Sequence, residues 1–291
     1  MVSAMSRPSV SSLSTFAAAS WVVSLALFGA GAAPPTAAPL PPPAASTVVP
    51  IDSAAASASA PAPAAASNAD AIVSAADRSD TDRALDGGRH PAELLKFFGV
   101  SPGMKVAELG AGGGYTSELL ARAVGSSGRV YAQNPRFILE KYAEKPWSER
   151  LQKPVMANVV RVDREFDEPL PPEAKDLDLV VDVLFYHDTV WLGVDRERMN
   201  RAIFAALKPG GIYGIVDHSA RVGAGLSEVK TLHRIEESVL KAEVTKVGFQ
   251  LASEGSFLKS PSDTLDWSTS PSTAGEKRGT SDRFVLAFKK P

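Results

Sequence analysis

From Asp70 onward, short apolar runs alternate with segments of helical periodicity, and this alternation constrains the fold more than any other feature of the chain. Met104 to Leu109, "RVYAQN", "NVVRV" at 158–162, "LDLVVDVLF" from Leu177 and "IYGIVD" read as five strands. Between them lie "HPAELLKFFGV", a helix opening near Tyr115, "FILEKYAEKPW" and "RERMNRAIFAAL", each with apolar residues spaced to share a helix face. A single helix around "LHRIEESVLKAEVTKVGF" and two closing strands, "FQLASEGSF" and "DRFVLAF", complete the pattern. Such crossovers are long enough for right-handed returns, so the pattern predicts an α/β fold: a Rossmann-like, seven-stranded, mostly parallel sheet with helices on both faces. Ligands of such sheets bind at the carboxyl ends of the strands.

The residues before Asp70 have a different character. No charge occurs from Pro8 to Ile51, and "FAAASWVVSLALF", Phe16 to Phe28, is followed by the small-x-small site Ala30-Gly31-Ala32. Residues 1–33 therefore read as a signal peptide and predict a periplasmic or secreted protein. An uncleaved inner-membrane anchor or a cytoplasmic tail are the alternatives; the run is short of the roughly 20 apolar residues of a span, so no stable span is expected in the mature chain. Residues 34–69, rich in Pro, Ala and Ser, read as a disordered linker, and residues 70–291 as the one folded domain. The balance of 31 basic against 33 acidic residues, net −2, gives no electrostatic case for nucleic acid and favours a small-molecule substrate. There is no cysteine, which excludes disulfides and thiolate chemistry. Oligomeric state is not legible.

The stretch "VAELGAGGGYTSELL", Val106 to Leu120, places Gly110, Gly112, Gly113 and Gly114 where the first strand meets a helix, a bend bare enough for a ligand to lie against the backbone. The dinucleotide pattern G-x-G-x-x-G fails at Tyr115 when counted from Gly110 and at Ser117 when counted from Gly112. What is present is Glu108 followed by Gly110, Gly112 and Gly114. In this motif, in "ALKPGG" before the fifth strand, and in "LDLVVDVLFYHD", the chain resembles class I S-adenosylmethionine-dependent methyltransferases over roughly Arg89 to Gly248. More narrowly, "RHPAELLKFFGV", "YHDTVW", "DHSAR" and "TLHRIEE" resemble a little-characterised bacterial group of predicted methyltransferases, many with export signals.

The resemblance implies S-adenosyl-L-methionine as cofactor, bound at Glu108, Gly110, Gly112, Gly114 and Tyr115, with a methyl group passing to a small acceptor. It also implies that the end of the second strand grips the ribose. There the usual acid is replaced by Asn134, preceded by Gln133, and a neutral amide predicts a weaker grip. Asp163, or a neighbour up to Phe166, falls where the family meets the adenine. Asp182 is where the family places residues facing the reacting methyl. His187, oriented by Asp188, is a candidate general base, since an imidazole accepts a proton near neutral pH. Asp217 and His218, after the fifth strand, are candidates of the same kind. His90 and His233 read as structural, and Tyr186 and Trp191 as walls of an acceptor pocket or plain packing. Asp182, Asp217 and His218 also suit a divalent cation, but no compact metal signature accompanies them and no metal is assigned. The competing function classes are a non-catalytic module that binds the same cofactor and a nicotinamide-dependent oxidoreductase.

Overall fold

A computed structural model describes residues 68–291; the expected signal segment and nearly all of the expected linker lie outside them. The fold opens with three helices, α1 (Ala69–Ser74), α2 (Asp80–Arg89) and α3 (Pro91–Phe97). The Asn68 and Ser79 side chains cap the first two by accepting backbone N–H bonds, and Pro91 starts the third, where a missing N–H costs nothing. Neither α1 nor α2 was expected from the periodicity.

Strand β1 (Lys105–Leu109) runs into the glycine bend and α4 (Tyr115–Val124), then β2 (Arg129–Asn134). A helical stretch follows as α5 (Arg136–Ile138), a π turn over Leu139–Ala143 and α6 (Glu144–Leu151), before β3 (Val159–Asp163) and β4 (Leu177–Val183). The chain continues through α7 (Tyr186–Trp191), α8 (Arg196–Ala206), β5 (Leu207–His218), α9 (Val229–Leu232), α10 (Glu237–Lys246), β6 (Gln250–Gly255) and β7 (Arg283–Lys289). The strand order is β3-β2-β1-β4-β5-β7-β6; β7 runs antiparallel to both of its neighbours and the other pairings are parallel. This is the expected mostly parallel seven-stranded sheet.

Side-chain alternation along the central strands separates two cores. Val106, Leu179, Val181 and Val216 pack on one face with Leu95, Leu120 and Trp147. Ala107, Leu109, Val180 and Ile215 pack on the other with Met199, Ile203, Leu240 and Val244. Because β1, β4 and β5 are covered on both faces, their sequences are nearly continuous apolar runs.

The single helix expected over Leu232 to Phe249 is two. His233 takes a left-handed backbone, φ 52°, and Ile235 forms a parallel bridge with Ser219, its N–H donating to the His218 carbonyl at 3.0 Å. A break of this kind depends on a pairing with the end of β5, outside the helix's own segment, and leaves no trace in that segment. Residues 256–282, between β6 and β7, form a long irregular excursion. Buried Arg234 anchors it, reaching the Asp263 carboxylate at 2.9 Å and the Trp267 carbonyl at 3.1 Å. Among the described residues, no helix is long and apolar enough to cross a membrane.

Candidate functional site

A cavity of about 960 Å³ opens at the carboxyl ends of β1, β4 and β5. Glu108, the bend Gly110–Gly113, Tyr115, His187, Asp188, His218 and His233 all line it. This is where a sheet of this order gathers loops, because the β1 neighbours diverge to opposite sides.

The bend is held from three directions. Asn134 accepts from the Gly112 N–H at 2.7 Å and donates to the Gly112 carbonyl at 3.1 Å, while Gln133 accepts from the Gly110 N–H at 3.0 Å. From α6, Arg150 donates to the Gly113 carbonyl at 2.6 Å and holds Asp82 of α2 with its other nitrogens. Two glycines are required for different reasons. A Cβ on Gly114, φ +82°, would lie 2.4 Å from the Trp147 ring, whereas one on Gly112, φ +54°, would meet nothing within 4 Å. Gly114 is a packing requirement; the space in front of Gly112 is open.

Glu108 is buried beneath the bend and accepts from the Ser117 hydroxyl of α4. Burial pushes its carboxyl up to about 7, against the hydrogen bonds from Ser117 and Thr116. Tyr115 donates to Asp86 at 2.6 Å, and its ring lies under the Arg89 guanidinium, 4.4 Å from the centroid. Burial, joined by the Arg278 charge, disfavours the charge on Arg89, which faces the cavity, while Tyr115, Glu108 and Asp82 act against them.

The histidines form a connected group. His187 is clamped at both ring nitrogens, Nδ1 to Asp217 at 2.7 Å and Nε2 to Asp188 at 3.0 Å, and its backbone N–H also donates to Asp217 at 2.7 Å. Burial works against a charge on this ring, but Asp217 and Asp188 outweigh it and lift the imidazole to about 10. Both ring nitrogens of His187 face carboxylates, so neither stands free toward an acceptor in the cavity. His218 is the opposite case. Burial first, then the neighbouring His187 and Arg283 charges, depress its basicity well below the usual histidine range. Its Nδ1 meets the Ser281 hydroxyl at 2.8 Å, which leaves Nε2 as the nitrogen without a hydrogen-bond partner among the described residues.

The expected site residues thus divide. Glu108, Gly110, Gly112, Tyr115, His187 and His218 reach the cavity; Gly114 is packed under it. Gln133 and Asn134 are fully buried: the Asn134 amide is turned wholly to the bend, and the Gln133 amide spans the Gly110 N–H and the Arg164 carbonyl, at 3.0 and 2.5 Å. Asp163 is half-exposed and paired with Arg161 on the surface, away from the cavity, so the expected adenine contact is not placed at Asp163 itself. Asp217 lies behind His187. Asp182 is fully buried with no side-chain hydrogen-bond partner among the described residues; burial, then the Asp217 charge, raise it well above the ordinary carboxylate range, against the His187 charge and the Phe185 backbone N–H. Among the described residues, Asp182, Asp217 and His218 do not converge as a metal-ligand set: Asp217 faces His187, and His218 Nδ1 turns to Ser281. Tyr186 is core, donating to Glu243 at 2.9 Å, while Trp191 does line the cavity.

Sequence reasoning missed Arg89, Arg278, Arg283 and Ser281. The last three are delivered by the 256–282 excursion and β7, and nothing in their neighbours in sequence marks them. Arg283 is buried, donates to the Ser281 and Gly279 carbonyls, and is brought down to about 10 by burial and by Arg89.

No protein-family model matches the chain. Among solved structures, the architecture is that of class I methyltransferases, and the chain has this fold. A SAM-dependent methyltransferase from Aquifex aeolicus superposes with a TM-score of 0.50 at 19% identity, over 77% of this chain and 99% of that one. A putative sarcosine dimethylglycine methyltransferase from Galdieria sulphuraria gives 0.50 and 19%, over 72% and 85%.

Proposed function

We propose that the protein is an S-adenosylmethionine-dependent methyltransferase acting on a small-molecule acceptor. The observation that carries this reading is the open, left-handed Gly112 above a buried Glu108 at the mouth of a cavity large enough for cofactor and acceptor together. Glu108 and the bend take the cationic methionyl end, and Arg89 its carboxylate. Methyl transfer is an in-line displacement, so the protein mainly aligns the acceptor and excludes water. Where the acceptor atom carries a proton, His218 removes it: with the hydrogen on Nδ1 facing Ser281, Nε2 presents a lone pair to the cavity. Residues 1–33 act as an export signal in this reading. The glycine spacing disfavours a nicotinamide enzyme.

Calorimetric titration with S-adenosylmethionine and with its demethylated product tests the cofactor, and assays of labelled-methyl transfer to small-molecule pools test turnover. Absence of heat with both ligands on folded protein defeats the proposal; binding without transfer to any acceptor reduces it to a cofactor-binding module.

A further inference from the structure

We propose that His187, Asp188 and His233 form a binding site for a transition-metal dication of the zinc type on the wall of this cavity. The ligand atoms of the three side chains lie within 4.8 Å of one another. Asp188 already bridges the rings, 3.0 Å from His187 Nε2 and 3.1 Å from His233 Nδ1. All three residues line the cavity, so a cation there keeps a coordination position open to a ligand.

Two further observations point to a ligand rather than to packing. His187 Nδ1 is bound by Asp217, which fixes the ring and directs Nε2 toward Asp188 and His233. A carboxylate behind a ligating imidazole is the usual partner that orients such a ring and raises its donor strength. His233 also adopts a left-handed backbone, uncommon for a residue with a Cβ. The Thr269 hydroxyl donates to the His233 carbonyl at 2.7 Å and holds that conformation together with the Ser219–Ile235 bridge, and strain of this kind collects at functional sites.

The donor set selects the metal. Two imidazoles and one carboxylate suit zinc and its neighbours, whereas magnesium and calcium prefer all-oxygen shells. Three protein ligands with a free position is the arrangement of reactive rather than structural zinc. On binding, the hydrogen on His187 Nε2 leaves to solvent, and His233 takes the tautomer with its hydrogen on Nε2. The site stands on geometry alone and does not depend on the methyltransferase reading.

The test is titration of chelator-treated full-length protein with zinc, in competition with a chromophoric chelator, alongside titration of the same samples with S-adenosylmethionine. The expected result is one equivalent of zinc. Asp217→Asn is expected to weaken it by roughly 10- to 100-fold, and His233→Asn by more. Asparagine tolerates the left-handed backbone, so loss of binding in His233→Asn with an unchanged thermal transition reports the ligand and not the fold. His90→Asn, at a partly exposed histidine on the α2–α3 junction whose backbone is also left-handed, is expected to leave binding intact. Substoichiometric or no binding overturns the site, as does binding that survives His233→Asn. Cofactor binding without zinc overturns the metal site alone; zinc binding without cofactor supports it and counts only against the methyltransferase reading.

Discussion

The Asn134 side chain closes on both polar groups of Gly112, accepting from its N–H at 2.7 Å and donating to its carbonyl at 3.1 Å. A carboxylate at this position accepts but cannot donate, so the amide at the end of β2 is suited to bracing the bend. Asn134→Asp is expected to lower stability by about 1–3 kcal/mol, from the unpaired carbonyl and a buried charge, and to weaken cofactor binding. Were residue 134 instead the ribose grip, the restored acid would tighten binding. Denaturant titration together with calorimetry distinguishes the two.

Gly112 and Gly114 differ in what surrounds them, and their substitutions should separate binding from folding. Gly112→Ala places its methyl in open space, so its stability cost is the left-handed backbone, about 1–2 kcal/mol, while cofactor affinity falls at least tenfold. Gly114→Ala adds the collision with Trp147, for a total of about 2–5 kcal/mol. Thermal denaturation and cofactor titration of both variants provide the check; equal loss of affinity without the stability difference contradicts this division.

The sheet was legible because β1, β2, β4 and β5 are apolar runs bounded by Gly, Pro and Asn, and the glycine bend because its residues are consecutive. What was not legible depends on distant contacts. The break at His233 follows from the Ser219–Ile235 bridge, and the role of Ser281 follows from its meeting with His218, 63 residues away. The two candidate bases illustrate the limit. "YHD" and "DHS" look alike in sequence, yet Asp217 lies against His187 and not against the ring of His218, which reverses their protonation states.

Glu108 makes stability and cofactor binding depend on pH in opposite directions. Its carboxyl titrates at about 7 in the fold against an ordinary 4.5. The folded state therefore holds the extra proton between these values, so the contribution of Glu108 to stability is fully present below 4.5 and is lost as pH rises through 7, by roughly 3 kcal/mol. Glu108→Gln should flatten this decline in denaturant titrations across that window. The cationic cofactor favours the ionised carboxylate, so binding at pH 6 should release a proton. Affinity should then rise toward pH 7 and level off; calorimetry in buffers of different ionisation enthalpy detects the proton.

His218 is expected to act where His187 cannot. Because burial and the His187 charge hold its ring neutral, kcat at saturating cofactor should stay level as pH drops through the ordinary histidine range near 6.5. A base of normal pKa would instead lose a tenfold factor per pH unit below that value. His218→Gln should reduce kcat by about 10²- to 10⁴-fold with cofactor affinity unchanged. Ser281→Ala, which frees Nδ1 and lets the ring turn, should give a smaller loss in kcat of the same pH shape. If His218→Gln lowers affinity and kcat together, the ring holds the cofactor rather than the acceptor proton, since only a group engaged at the transition state acts on kcat alone.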